Sequence, residues 1–518
     1  MNIGDLMEEF KRLIEIIYNG EEYSIGDSRE AERLRRIVED YLGGHVRFIE
    51  IPMYSWVNKY LKIDGVEGGY SVAPYILSAE VDDAKLFEIK EDPSSPDAWI
   101  KHGVREGVAV IREPEDPDDL KASALLAAEA GFSGILVFSD KLRKIVTTGT
   151  WNYSFNVGAP TPIPVIYVEK PRITRDRVSL YVESEVNASK GYILEWDSSG
   201  SDNVILVGAH YDRWFSGFQD NILGVIQAMI LAKRLSELGK RVKLVLFTAE
   251  EYGAPGYAGW YWSWGSRFYS QQVYQSRIED SINLYVNFDV AGNRNLMVSG
   301  TRSYIYTIKD YINERCCECP ECDSMQLAMI GVPTLSFHSL WSQETLDIYH
   351  TREDTPENAD LRYAAKAVEI AYKAILDTPQ WDYVGYELTR LSRELPLEGR
   401  RLIYKLASIA SRVGWEKLYR ELAAKTLRPV HYGSYRYDSV RLEALMLPEI
   451  SILPRLLDDI RRGDPPHEVW ISGEERLIYA IKAKNGEICG VNCIIDQARH
   501  NIRALDDVID EVYIKLVK

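Results

Sequence analysis

Residues 203–250 read NVILVGAHYDRWFSGFQDNILGVIQAMILAKRLSELGKRVKLVLFTAE, and this stretch decides the fold. It contains short apolar runs at 203–208 and 242–247, which are typical of strands buried on both faces of a parallel sheet. Between these runs, apolar side chains recur at helical spacing from Asn221 and stop at Gly239, a residue type that often follows a helix. The stretch therefore predicts a strand, helix, strand unit of an α/β fold.

Two further apolar runs, at 282–288 and 333–337, predict additional strands of the same sheet. Open parallel sheets bind ligands at the carboxyl ends of their strands. Imidazole and carboxylate side chains come after each predicted strand, so we expect them to meet at one edge of the sheet. They are His210, Glu250, Glu251, Asp289 and His350.

These residue types suit a two-metal hydrolase site. Zinc binds imidazole nitrogen and carboxylate oxygen where no thiolate is offered. Two ions about 3.5 to 4 Å apart need one bridging carboxylate and further ligands for each ion. Glu250 is expected to point away from Glu251, because successive side chains alternate along a strand, and a free carboxylate near the metal pair is a candidate general base.

Five motifs resemble those of the co-catalytic zinc peptidases, a family that includes bacterial leucine aminopeptidases and glutamate carboxypeptidase II. Each motif is weak by itself, and Asp220 alone would more often be a helix N-cap, but together and in this order they favour a metal site. The motifs are His210-x-Asp212, Gln219-Asp220-Asn221 with Gly224, Glu250-Glu251 with Gly253, Asn287-Phe288-Asp289, and Tyr349-His350-Thr351 with Asp354 and Thr355.

The resemblance implies a zinc ligand role for five of these residues. Asp220 would bridge two zinc ions, which cobalt or manganese could replace. His210 and Asp289 would complete the ligands of one ion, and Glu251 and His350 those of the other. The ten-residue step from His210 to Asp220 is closer to the carboxypeptidase II branch than to the small aminopeptidases.

Three residues beside these ligands are candidates for catalysis. The resemblance implies that Glu250 is the base and that Asp212 orients His210. The hydroxyl of Tyr349 could hydrogen-bond the oxyanion of the tetrahedral intermediate, a role worth about 3 kcal/mol for one donor, or Tyr349 could simply be packed beside the site. An aromatic run has two similar interpretations, a substrate subsite or core packing; it comprises Trp260, Tyr261, Trp262 and Trp264.

Length, composition and charge limit the function classes. The 518 residues predict two or three domains, and the 46% apolar content is enough for large cores. A formal net charge of −17 disfavours nucleic acid and anionic membranes as partners. The N-terminus lacks the pattern of a signal peptide, and no apolar run approaches the length of a membrane span. We therefore expect a soluble, cytoplasmic protein.

The predicted fold is a mixed, mainly parallel sheet flanked by helices, with two additions. Residues 1–65 and 191–378 are assigned to the zinc exopeptidase domain, and 66–190 resemble a β-rich protease-associated domain inserted into it. Residues 379–518 are predicted to form a helical C-terminal domain. Its position resembles that of the dimerisation domain in the carboxypeptidase II branch, which implies a homodimer.

Six cysteines fall into two groups, at 316–322 and at 489–493. The first group could bind a structural zinc, but such sites usually have two separated pairs. Disulfides are the favoured interpretation, although they are rare in the cytosol outside hyperthermophiles. Within this group, Cys319 and Cys322 have the spacing of a recognised pair.

Taken together, the sequence predicts a zinc-dependent exopeptidase that acts on peptides. An aminopeptidase is favoured over a carboxypeptidase because no arginine patch is evident near the motifs. A catalytically inactive, receptor-like homologue is the third alternative, and it should have lost at least one ligand. This chain retains every ligand of the set.

Overall fold

In this computed structural model, the structure describes residues 3–22, 28–102, 106–147, 161, 163–198, 200, 203–255, 263–312, 319, 322–340, 342–393, 397–431 and 506–518. Its centre is a 12-stranded mixed sheet, in which eleven strands have the order β11-β12-β10-β8-β9-β7-β3-β4-β5-β6-β2 and β1 pairs with β7. The strands are β1 Val46–Asp64, β2 Val66–Val72, β3 Ala79–Glu88, β4 Val108–Arg112, β5 Gly134–Ser139, β6 Val165–Ile173, β7 Arg177–Asp197, β8 Val204–His210, β9 Val242–Phe247, β10 Ile282–Phe288, β11 Met297–Gly300 and β12 Thr334–His338.

The four strands predicted around the site form one parallel block. Strand β8 lies between β9 and β10, and β12 pairs with the other side of β10, all in parallel. The antiparallel strands β7 and β11 flank this block. The prediction of a mixed, mainly parallel sheet is confirmed, and it places the carboxyl ends of β8, β9, β10 and β12 at one edge.

Helices cover both faces of the parallel block. One core lies between the sheet and α1, α2, α5 and α10, and a second lies between the opposite face and α6 and α8. The helices are α1 Ile3–Ile17, α2 Ser28–Leu42, α3 Pro96–His102, α4 Leu120–Glu129, α5 Leu223–Glu237, α6 Trp264–Gln275, α7 Arg302–Thr307, α8 Ser324–Ala328, α9 Gln343–Ile348, α10 Leu361–Leu376, α11 Trp381–Ser392, α12 Leu397–Val413 and α13 Trp415–His431.

The predicted insert packs around an apolar core built on β4, β5 and β6, which also includes Trp214 and Tyr252 of the predicted catalytic domain. Strands β1 and β7 pair from Val46 with Trp196 to Asp64 with Ser179, so this long ribbon joins the insert to the parallel block. The predicted boundary at 190 falls inside β7, which both parts share. The protease-associated character of the insert stays a prediction.

The region after residue 378 is helical where the structure describes it. Helices α11, α12 and α13 pack with a helix at 506–517 around a separate core. Gly414, at a positive φ of 87°, separates α12 from α13. Within the described residues, none of the helices has the length and apolarity needed to cross a membrane. The homodimer and the cytoplasmic location stay predictions.

Candidate metal centre

The five residues predicted as metal ligands lie together at the carboxyl edge of the parallel block, and all are buried. His210 is the last residue of β8, and Asp289 follows β10 directly. Asp220 lies in the turn that precedes α5, and His350 follows α9. Glu251 lies in a bend beyond the end of β9. Five separate segments of the chain therefore supply the five side chains.

Asp220 lies between the two histidines, with one oxygen toward each. Its Oδ1 is 3.3 Å from His210 Nε2, and its Oδ2 is 3.1 Å from His350 Nε2. Asp289 Oδ1 lies 3.4 Å from His210 Nε2, and Glu251 Oε2 lies 3.0 Å from His350 Nε2. The structure thus groups His210 with Asp289 and His350 with Glu251, on either side of Asp220. A carboxylate in this position can bridge two ions.

Both imidazole rings are oriented through their Nδ1 atoms. His210 Nδ1 lies 3.1 Å from the carbonyl oxygen of Asp212, and His350 Nδ1 lies 2.9 Å from that of Lys144. A carbonyl can only accept, so each Nδ1 carries a proton, and each Nε2 faces the carboxylates and is the ring nitrogen that a metal ion could bind. This arrangement is typical of metal-binding histidines.

The donor set fits divalent cations. Glu251 Oε1 and His350 Nε2 are buried and have no hydrogen-bond partner among the described residues, and His210, Asp220 and Glu251 offer ligand atoms within 4.8 Å of one another. Imidazole nitrogen and carboxylate oxygen without thiolate are ligands that zinc accepts. Buried carboxylates in this number need positive charge nearby, and two divalent ions would supply it.

The pKa values show how strongly the carboxyl groups interact in this pocket. Burial raises the pKa of Glu251 to about 7 and also raises the pKa of Asp289. Burial alone would lower the pKa of His350, but the charge of Glu251 and contact with Asp220 outweigh it and raise that pKa to about 10. Burial opposes ionisation of Asp220 too, yet contacts with His210 and His350 hold its pKa below its usual range.

Asp212 acts on the site in a way the sequence did not indicate. Its carboxylate lies 3.9 Å from His210 Nδ1, and the ring instead contacts its carbonyl oxygen at 3.1 Å. The carboxylate accepts the backbone N–H groups of Glu250 (3.2 Å) and Glu251 (3.1 Å). Asp212 therefore positions the bend that carries both glutamates.

Asp354 performs the matching task for Asp220, and sequence reasoning gave it no role. Its two carboxylate oxygens accept the backbone N–H groups of Gln219 (2.8 Å) and Asp220 (3.0 Å). It is buried, and burial raises the pKa of its carboxyl group to about 7. Its place in the Tyr349–Thr355 motif was the available signal.

Glu250 and Glu251 are separated as predicted, but for a different reason. Strand β9 ends at Phe247, so strand alternation does not set their directions. Glu250 Oε1 accepts a hydrogen bond from the hydroxyl of Ser263 at 3.0 Å, and its Oε2 lies 3.9 Å from His210 Nε2. Burial raises the pKa of Glu250 well above its usual value. No sequence signal pointed to Ser263.

The structure explains why a glycine, Gly224, follows the Gln219-Asp220-Asn221 motif. The side chain of Asn221 donates to the carbonyl oxygen of Phe288 at 2.8 Å, which ties the turn to the end of β10. A Cβ atom on Gly224 would lie 2.1 Å from Asn221 Oδ1 and 2.6 Å from the carbonyl oxygen of Phe288. Only glycine leaves room for this contact beside Asp220.

Residues 141–144 of the insert form hydrogen bonds with the backbone of the residues around His350. Lys144 donates its N–H to the carbonyl of His350 at 3.1 Å, and Arg143 bridges to Thr351 in antiparallel fashion. The Arg143 guanidinium donates to the carbonyl of Tyr349, and Lys141 Nζ donates to that of Asp347 at 3.0 Å. The insert therefore contributes directly to the position of a metal ligand.

The structure describes Tyr349 but only one residue of the aromatic run, Trp264. The ring of Tyr349 stacks on that of His350, with centroids 3.7 Å apart, and its role toward an oxyanion stays a prediction. Trp264 donates its indole N–H to the carbonyl of Pro52 at 2.6 Å and packs on Phe268, in agreement with the packing interpretation. Trp260, Tyr261 and Trp262 lie outside the described residues.

The cysteine group contains one disulfide within the described residues. Cys319 and Cys322 are bonded and buried, and the buried Asp323 follows them directly. This agrees with the favoured disulfide interpretation. The remaining cysteines, Cys316, Cys317, Cys489 and Cys493, lie outside the described residues.

Comparisons with known proteins agree with the family suggested by the motifs. Residues 192–375 match the model of Peptidase family M28. The structure of BSAP, a zinc aminopeptidase from Bacillus subtilis, superimposes with a TM-score of 0.53 at 14% identity, covering 71% of this chain and 94% of that one. A peptidase M28 precursor from Shewanella amazonensis SB2B gives a TM-score of 0.55 at 16% identity, covering 71% and 91%.

At these identities the two structures show a shared fold. No curated protein matches the chain. The residues that match the M28 model, 192–375, include all five candidate metal ligands, so this part of the chain is similar to the M28 peptidases.

Proposed function

We propose that this protein is a zinc-dependent exopeptidase that uses two metal ions, and that it removes residues from the amino end of peptides. The observation that carries the proposal is the position of Asp220, which offers one oxygen toward each of two histidines already oriented through Nδ1. Asp289 and Glu251 extend this arrangement symmetrically.

Each ion has its own set of ligands in this proposal. His210 and Asp289 would hold one zinc, Glu251 and His350 the other, and Asp220 both; cobalt or manganese could replace zinc. When bound, the ion pair polarises the scissile carbonyl and makes water a nucleophile near neutral pH.

Glu250 moves the proton in this reaction. Because Ser263 occupies Oε1, the second oxygen is the one available to accept a proton from the attacking water and pass it to the leaving amine. Burial raises the pKa of this carboxyl group, and a raised pKa strengthens the carboxylate as a base once it is ionised. Tyr349 stays a candidate donor to the oxyanion.

The choice between the two peptide ends depends on what binds beside the metals. The fold shared with zinc aminopeptidases supports removal from the amino end. Removal from the carboxyl end is the second candidate, supported by two cations, Lys144 and Arg352, that line a cavity beside His350. The inactive-homologue alternative has little support, because the full ligand set is present and brought together.

The test compares the wild-type protein with Glu250→Gln, both loaded with zinc. Glu250→Gln should keep both ions, as measured by elemental analysis, while kcat falls by at least about a hundredfold because the general base is lost. Peptides blocked at one end or the other show which end is trimmed. Normal turnover by the variant would remove Glu250 as the base, and failure of the wild-type protein to cleave any peptide would refute the exopeptidase.

A further inference from the structure

A cavity of about 940 Å³ lies next to the segment that carries His350. Its lining includes Trp56, Lys144, Trp214, Phe215, Tyr252 and Arg352. The ring of Trp214 lies 6.4 Å from that of His350, and the carbonyl of Lys144 holds His350 Nδ1. The volume lies within the range of small-molecule sites, about 300 to 1,000 Å³, so the cavity is large enough for part of a peptide.

The aromatic part of the cavity wall is preorganised. The rings of Trp214 and Tyr252 stack with centroids 4.8 Å apart and an interplanar angle of 5°. The indole N–H of Trp56 donates to the carbonyl of Ile76 at 3.1 Å, and all three side chains are buried. A wall of this kind binds an apolar body without having to order itself first.

The residues that line the cavity carry one more positive charge than negative charge. Lys144 Nζ lies 4.8 Å from the centroid of Phe215 and forms an ion pair with Glu22, which also lines the cavity. The guanidinium carbon of Arg352 lies 5.7 Å from the same centroid. Among the residues that the structure describes, Arg352 has no carboxylate within salt-bridge distance.

We propose that this cavity binds a carboxylate of the peptide substrate, with Arg352 as the principal partner and Lys144 as the second. A guanidinium can bind a carboxylate through two parallel hydrogen bonds, and the aromatic wall accommodates the apolar atoms next to it. The inference depends on the proposed exopeptidase function and narrows its substrates to peptides that carry a carboxylate close to the scissile bond. The carboxylate can come from a free C-terminus or from an acidic side chain.

The experiment measures kcat/KM of the zinc-loaded wild-type protein on three dipeptides, Leu-Phe, Leu-Phe amide and Leu-Glu amide. We expect Leu-Phe to exceed its amide by about tenfold to a hundredfold, the range expected for one hydrogen-bonded charge. A comparable gain for Leu-Glu amide would identify the acidic side chain as a second source. Equal rates for all three would overturn the inference but leave the exopeptidase proposal intact.

Variants of the two cations show which of them binds the substrate carboxylate. Arg352→Gln should bring the rates on Leu-Phe and its amide close together by lowering only the first, and Lys144→Met should reduce the difference in part. Arg401→Gln, an arginine of the helical region whose side chain is 75% exposed, is the matched control and should keep the wild-type preference. An unchanged preference in Arg352→Gln would refute its role.

A binding measurement keeps the inference testable even if no peptide is cleaved. Calorimetry of the zinc-loaded protein with acetyl-phenylalanine and with its amide should show tighter binding of the acid. Because a carboxylate can also bind zinc, the decisive comparison is again Arg352→Gln, which should lose the difference. Preference without turnover would support the cavity while refuting the exopeptidase, and equal binding of acid and amide would refute the cavity.

Discussion

Replacing Arg143 by methionine should loosen one of the two proposed metal ions although Arg143 contacts none of the ligand atoms. The side chain is 5% exposed, its Nε lies 2.5 Å from Glu113 Oε1, and its guanidinium donates to the carbonyl of Tyr349, the residue before His350. The hydroxyl of Ser139 donates to the other oxygen of Glu113 at 2.6 Å. Together these contacts connect β5 of the insert to the segment that carries His350.

Two magnitudes follow from this geometry. Breaking a buried ion pair by removing one partner costs about 3 to 5 kcal/mol. We expect the lower end, about 3 kcal/mol, because Glu113 keeps its bond to Ser139 and is partly exposed to water, which screens an unpaired charge. Loss of a residue that orients a metal ligand lowers metal affinity by about 10- to 100-fold. That loss should fall on the ion held by Glu251 and His350, so stoichiometry should drop from two ions to one when zinc is limited by a competing chelator.

The assay combines zinc titration against a chelator with thermal unfolding. Arg143→Lys keeps the charge and one donor but not the planar fork, so it should restore part of the affinity. Arg172→Met is the matched control, because Arg172 pairs with Glu67 in the same insert but its side chain is 73% exposed. Exposed pairs contribute little, so this variant should behave like the wild type. Two ions bound with unchanged affinity in a destabilised Arg143→Met protein would refute the positioning role.

Two further outcomes test the proton and metal chemistry. Ser263→Ala should keep both ions but lower kcat about tenfold, and the acid limb of the pH–rate profile should move to higher pH because the Glu250 carboxylate loses a donor. The control is Ser270→Ala, since the hydroxyl of Ser270 donates to the carbonyl of Arg267. An unmoved profile in Ser263→Ala would count against Ser263. Metal-free protein should lose stability as the pH rises from about 5 to about 8. Burial raises the pKa values of Glu251 and Asp323 to about 7, so the folded state retains protons that the unfolded chain has already released. Zinc should abolish this loss; a melting temperature that rises with pH in the metal-free protein would contradict the pKa shifts.

Much of the catalytic domain could be predicted from local patterns. The runs at 203–208 and 242–247 correspond to β8 and β9, and the periodic segment between them corresponds to α5. Continuous apolar runs fit strands covered on both faces, and helices on both sides of the sheet cover these strands. For these elements the predicted type was right and the ends moved by a few residues.

Predictions about individual contacts succeeded less well, because they depend on backbone geometry beyond the strands. Glu250 and Glu251 lie in a bend, so strand alternation could not assign their directions. Asp212 was expected to orient His210, and its carbonyl oxygen contacts that ring, but the sequence did not indicate that its carboxylate accepts the N–H groups of the two glutamates. Ser263 was missed because a serine that positions a base has no distinctive sequence signature. Asp354 lies in the Tyr349–Thr355 motif, but the motif alone did not indicate which backbone groups its carboxylate contacts.

The amino-acid sequence by itself predicted the strands of the parallel block and the side chains of the candidate metal centre. Local hydrophobicity determines where the strands lie along the chain, and the carboxyl ends of parallel strands must share an edge. Only the tertiary structure decided which oxygen of Asp220 faces which histidine, and that an insert residue 206 positions away orients His350. It also decided that Arg352 and Lys144 share one aromatic wall. The physical reason is that these contacts join residues far apart in the chain, at distances set by the packing of loops and insert rather than by any local period.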